Sequence, residues 1–146
     1  MNDRYLYRAN RTDNGEWVEG ALFNGESHCI IGKEIKFSPY TEHECKIVGY
    51  EVDRDTICQC TGLKDKNGNL IWENDIVDGH IKRGAAFLNC LVLWNESKAR
   101  FDVRAKGCNF PMTLDEVTGD ISVGGLDYEV VGNQFDNPEL LELLEV

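Results

Sequence analysis

Residues 61–77 constrain the fold more than any other stretch. Thr61-Gly62-Leu63-Lys64-Asp65-Lys66-Asn67-Gly68-Asn69-Leu70-Ile71-Trp72 places short strand-prone runs on either side of Asn67-Gly68. That pair predicts a type I′ hairpin turn, because both residues tolerate positive φ and the turn's twist matches that of the strands. Glu73-Asn74-Asp75 then forms a polar corner, and Ile76-Val77 starts another strand. A hairpin followed at once by a new strand leaves little room for helix.

The rest of the chain agrees. Tyr5-Leu6-Tyr7-Arg8 and Glu16–Phe23 flank Asp13-Asn14-Gly15 and predict an N-terminal hairpin. Cys29-Ile30-Ile31 and Glu34-Ile35-Lys36-Phe37 lie either side of Gly32 and suggest a second short pair. Lys46–Val52 and Thr56–Thr61 read as strands separated by the polar Asp53-Arg54-Asp55. Ala86–Trp94 is long and nearly all apolar, as expected of a central strand covered on both faces. Phe101–Arg104 alternates, and Asp127–Gly132 is the last strand candidate. Helix signals are confined to Thr113–Val117, with its capping-box pattern, and to the stretch from Asn137. There Asn137 is suited to cap, Pro138 to open, and the leucines to face away from the glutamates. The expected fold is mainly β (a β-rich α+β chain). It is a small, bent, SH3-like barrel with an N-terminal β extension and a short C-terminal helix. A single domain over 1–146 is expected, with an N-terminal β subdomain at 1–58 and a barrel-like part at 59–146.

Charge divides the chain differently. Of 26 acids and 15 bases, residues 1–106 hold 17 and 15, whereas residues 107–146 hold nine acids and no Lys or Arg. The net charge of −11 therefore lies almost wholly in the last quarter. Bulk electrostatics of this sign argue against direct nucleic-acid binding. The acidic quarter instead suggests a protein partner, as a DNA-like surface that inhibits a nucleic-acid-binding protein. With 42% hydrophobic and 28% charged residues, the composition is that of a globular chain. The opening residues lack the apolar run of a secretory signal, and Ala85–Trp94 is far short of the roughly 20 residues that cross a bilayer. A cytoplasmic protein without a membrane partner is expected, its Cys29, Cys45, Cys58, Cys60, Cys90 and Cys108 being reduced thiols.

Candidate chemistry is sparse. His28, Cys29, His43, Cys45, Cys58 and Cys60 lie within one window, and thiolates with imidazoles suit zinc. Their spacing lacks a C-x-x-C knuckle, which favours buried thiols and no metal; in a strand, Cys58 and Cys60 would share a face. Asp65, Glu73, Asp75 and Asp78 offer carboxylates for acid–base or metal work, but Asp65 and Asp75 are placed to bond the backbone of the hairpin. Lys64, Lys66, Lys82, Arg83, Lys98, Arg100, Arg104 and Lys106, with Trp72 or Trp94 for stacking, would make a nucleic-acid face if they clustered; a solvated surface is the simpler reading. His80, like His28 and His43, stands isolated on a polar stretch. Gly119, Gly124 and Gly125 lack the helix and lysine of a phosphate loop. No catalytic residue, cofactor site or metal site is assigned.

The motif Gln59-x-Thr61-Gly62-Leu63-Lys64-Asp65-Lys66-Asn67-Gly68, with Ile71-x-Glu73-x-Asp75-Ile76-Val77, resembles the signature of the YopX family of phage and prophage proteins. Arg8 through Gly20, with Gly15, Trp17 and Gly20, is similar to the family's opening. Glu129-Val130-Val131-Gly132-Asn133 and Asn137–Leu141 are similar to its close. Cys60 stands where the family usually has Tyr, Cys58 where Gly is common, and Asn74 where Gly is frequent. The resemblance implies a small phage or prophage protein of unknown molecular role with no catalytic residues to carry over. The expected function is a non-enzymatic accessory protein of the bacterial cytoplasm that binds protein or associates with itself as a homo-oligomer.

Overall fold

The computed structural model describes residues 3–41, 43–81, 86–105, 112–114 and 126–142. The protein is mainly β, with eleven strands among the described residues and one short helix. The strands are β1 Tyr7–Asn10, β2 Trp17–Asn24, β3 Cys29–Phe37, β4 Cys45–Glu51, β5 Cys58–Lys64, β6 Leu70–Trp72, β7 Asp75–Ile81, β8 Ala86–Asn95, β9 Arg100–Arg104, β10 Met112–Thr113 and β11 Leu126–Asn133. Helix α1 is Pro138–Glu142. The chain divides into two compact units, Met1–Cys60 and Thr61–Val146.

In the first unit the order is β4-β3-β2-β1, followed by the start of β5, each strand antiparallel to its neighbour. The N-terminal hairpin forms with Asn10 opposite Trp17, and Gly15 takes φ +73° in its turn. Tyr5 lies outside the strand, in a 3-10 turn at Asp3–Tyr5. The sheet curls until its two edges meet at one end. Val52 bridges Arg11, the Thr12 amide donates to Glu51 O at 3.1 Å, and the Asp53 amide to Asn10 O at 2.8 Å. Ala9, Cys29, Ile31 and Val52 fill the space enclosed, flanked by Tyr7, Val18, Leu22 and Ile57.

Gly32 does not separate two strands as expected. β3 runs unbroken through it, with a bulge between Gly32 and Glu34. A Cβ on Gly20 would run into Gly32 O, and one on Gly49 into Ile31 O and, at 2.7 Å, Gly32 Cα. The three glycines thus let β2, β3 and β4 approach and bend where a side chain would hold them apart.

The second unit contains an open five-stranded antiparallel sheet, β10-β9-β8-β7-β11, together with the remainder of β5 beside β6. No closed barrel forms among its described residues. β8 is central, as its sequence implied, and on the face opposite Cys90 and Val92 its Leu91 and Leu93 are half-buried. Cys90 and Val92 are fully buried with Ile71, Val77, Val103, Leu114 and Tyr128, whereas Leu88 and Trp94 are exposed. Asn89 supplies a bulge at φ +54°, its amide donating to Asp78 Oδ1 at 2.8 Å.

The Asn67-Gly68 hairpin forms, but not with a type I′ turn. Gly68 has φ +84° while Asn67 does not take positive φ, and the loop closes through Gly68 N–H to Asp65 O and Asp65 N–H to Asn69 O. This is the three-residue loop, a type I turn followed by a left-handed glycine. Asp65 decides between the two turns, because its carboxylate accepts from the Asn67 and Asn69 amides at 2.9 and 2.8 Å. Met112 and Thr113 pair with β9 as strand β10; the remainder of the expected helix at 113–117 beyond Leu114 lies outside the described residues. α1 packs against β8. Asn137 precedes it, and its Oδ1 accepts from the Asn133 amide, tying the helix start to the end of β11.

Candidate functional site

Of the carboxylates singled out in the sequence, Asp65, Asp75 and Asp78 are engaged with backbone, and Glu73 is half-buried at the corner before β7. Asp65 is buried and receives three amides, from Asn67, Asn69 and, at 3.0 Å, Val130 on β11. Burial works to raise its pKa, but these hydrogen bonds outweigh it and hold the carboxyl below its ordinary value. Asp75, also buried, accepts from the Trp72 amide at 2.8 Å and closes the corner in which Asn74 takes φ +69°. Asparagine is the side chain best able to stand in for glycine in that conformation. Asp78 holds the β8 bulge. Each of these aspartates organises a turn or a bulge.

The thiols and imidazoles do not converge. Cys58 and Cys60 share the buried face of β5, and Cys29 is in the first core, its Sγ donating to Asn24 Oδ1 at 3.0 Å. Cys45 is exposed on β4, and no group of three or more His, Cys, Asp or Glu able to hold a metal ion occurs among the described residues. His28 is exposed with Nδ1 3.5 Å from Glu51, and His43 is exposed between β3 and β4. Among the cations, Lys66 pairs with Glu129 at 3.2 Å and Arg100 with Asp102 at 2.8 Å, while Lys64, Lys98 and Arg104 are exposed. Trp72 is buried and unavailable for stacking; Trp94 is exposed and lies edge-on to Phe101. Lys82, Arg83, Lys106 and Cys108 lie outside the described residues, as do Asp115, Glu116, Asp120 and Glu145 of the acidic quarter.

The surface that stands out was not legible as a site in the sequence. β2 pairs with β3 only as far as Gly32, whereas β3 and β4 continue together to Phe37 and Cys45. β3 beyond Gly32 and β4 as far as Val48 therefore form a two-stranded arm. Ile35 faces Ile47 and Phe37 faces Cys45 across the ladder, so all four lie on one face. Ile35 is 50% exposed, Phe37 74% and Ile47 39%, and Tyr40 in the connecting loop is 92% exposed. A shallow groove at the tip is lined by Phe37, His43, Cys45 and Lys46 among others. At the base, Tyr50 lies between two cations. Arg11 is centred 4.1 Å from its ring and Lys33 Nζ 5.1 Å, while Arg11 also forks onto Asp13 at 2.9 and 2.6 Å. Those two bonds hold the Asp13 carboxyl below its usual range. The only sequence signal for the arm is the alternation of Glu34-Ile35-Lys36-Phe37, which any half-buried strand would share.

Among the described residues of the second unit, one buried side-chain group has no hydrogen-bond partner. The Tyr128 hydroxyl, among the core residues, has no hydrogen-bond acceptor or donor within reach among the described residues, and burial first, with Cys90 adding to it, pushes its pKa up. Tyr128→Phe is expected to stabilise the protein by about 1 kcal/mol, since it removes a desolvated hydroxyl and keeps the ring. A urea midpoint that falls in the variant would contradict this.

Two antiparallel sheets, with aspartate-built turns and a projecting hairpin, define a small mainly-β protein without a recognisable catalytic constellation among the described residues. The chain belongs to the YopX protein family, whose family model matches residues 6–142. It is similar to protein EF1440 from Enterococcus faecalis, known from a crystal structure, at 28% identity and a TM-score of 0.58, over 92% of this chain and 96% of that one. The comparison with curated proteins gives no match.

Proposed function

We propose that this is a non-enzymatic accessory protein of phage or prophage origin, working in the bacterial cytoplasm by binding protein through the β3–β4 arm. The observation that carries the reading is the exposure of Ile35, Phe37, Tyr40 and Ile47 on one hairpin. Isolated apolar side chains are ordinary on a surface; several contiguous ones on a projecting element mark a contact that is covered in use. The phage origin rests on the family. The test is capture of bacterial lysate proteins on the immobilised chain, compared with a Phe37→Ser/Ile47→Ser variant. Binding that survives high salt and disappears in the variant is expected; binding indifferent to the variant overturns the arm as the contact.

The count of nine acids and no base in residues 107–146 favours a second reading, an acidic surface that occupies a host nucleic-acid-binding protein. The same capture separates the two. A partner held by that surface is released by salt and is retained by the arm variant.

A further inference from the structure

We infer that the arm is covered by the arm of a second copy of this chain, in a two-fold contact that buries Ile35, Phe37, Tyr40 and Ile47 of both. The inference rests on the arm being a protein-binding surface and names what it binds.

Three observations lead there. First, the arm is incomplete by itself. Beyond Gly32 it has only two strands, and an isolated two-stranded ribbon is marginal in water unless something covers its apolar face. Second, the charge suits a like-charged partner. The chain carries −11, but residues 33–46 hold Lys33, Lys36 and Lys46 against Glu34, Glu42 and Glu44 and are neutral. Two copies can meet here with less repulsion than their net charge would impose, and the neutral arm offers no electrostatic attraction to a strongly charged partner. Third, the surface is large enough when doubled. The exposed parts of Ile35, Phe37, Tyr40 and Ile47 amount to about 500 Å² per copy, taking about 150–250 Å² for each aromatic side chain. Doubling it gives about 1,000 Å², which reaches the size of a specific, modest-affinity interface. A two-fold axis places the same residues on both sides, so an apolar stripe meets an apolar stripe with no second surface required. Lys36 and Lys46, directly opposite each other in the ladder, lie on the arm's other face and keep that face solvated.

Sedimentation equilibrium of the full chain over a wide concentration range tests this. A reversible dimer is expected, with a dissociation constant that stays the same or tightens as salt is raised. Phe37→Glu should weaken it at least tenfold with an unchanged circular dichroism spectrum, because that side chain contacts solvent in the single copy. Ile35→Ser serves as a milder second variant should Phe37→Glu disturb the fold. A wild-type chain that remains monomeric at every concentration overturns the proposal, and so does a dimer indifferent to both substitutions. Neither result disposes of the arm as a protein-binding surface, because lysate capture sensitive to Phe37→Ser/Ile47→Ser would then identify a different partner there.

Discussion

Replacing Asp65 with alanine is expected to lower the unfolding free energy by about 3 kcal/mol, the scale reached when a buried acceptor of several amides is removed. Three backbone N–H groups, those of Asn67, Asn69 and Val130, would lose their acceptor at once. The Val130 bond spans 65 residues of sequence and ties the β5–β6 hairpin to β11, beside the Lys66 amide's 2.8 Å bond to Tyr128 O. Urea unfolding followed by tryptophan fluorescence reads the loss, and hydrogen exchange should accelerate first at Val130. An unchanged midpoint would remove Asp65 from the stability of the unit. The pH dependence follows in sign. Because the folded carboxyl is held below its ordinary value, the unfolded chain takes up the proton first on acidification. The contribution is therefore complete above about pH 4, the ordinary aspartate pKa, and is lost as pH falls through the lower folded value. Asp65→Asn should flatten that part of the stability profile.

The second large effect is expected at Gly49, where alanine should cost about 2–3 kcal/mol, the upper range for a forced overlap in a packed region. The new methyl would meet backbone, Ile31 O and Gly32 Cα, and backbone cannot turn aside. Gly32→Ala provides the contrast. Its nearest obstacles are the Phe23 ring at 2.8 Å and Ile47 Cγ2 at 3.2 Å, side chains that can shift, so the cost should be clearly smaller. Equal losses at the two positions would refute the distinction. Since Gly49 is at the base of the arm, its substitution should also loosen the pairing of Ile35 with Ile47, visible as faster exchange along β3 and β4.

Much of this protein was legible in the order of its residues. The hairpins at Gly15 and Gly68, the corner at Asn74, the strand beginnings and the mainly-β class all follow from local chemistry. Glycine and asparagine reach positive φ cheaply, aspartate bonds nearby amides, and two-residue alternation marks strands. The readings that failed depended on what arrives from elsewhere in the chain. The Asn67-Gly68 turn type was decided by the Asp65 carboxylate, whose loop amides are local but whose third partner is on β11. β8 reads as covered along its whole length, because apolar composition cannot show that Leu88 and Trp94, toward its two ends, stay exposed. Gly32 reads as a break because its sequence does not reveal β2 and β4 closing on either side.

The arm shows the division most sharply. Glu34-Ile35-Lys36-Phe37 by itself determined a strand with one apolar face. Whether that face meets a core or water depends on where β2 stops, and only the tertiary structure decides that β2 ends its pairing at Gly32. Alternation reports which side chains share a face; burial depends on a second surface, and its presence is a property of the whole fold.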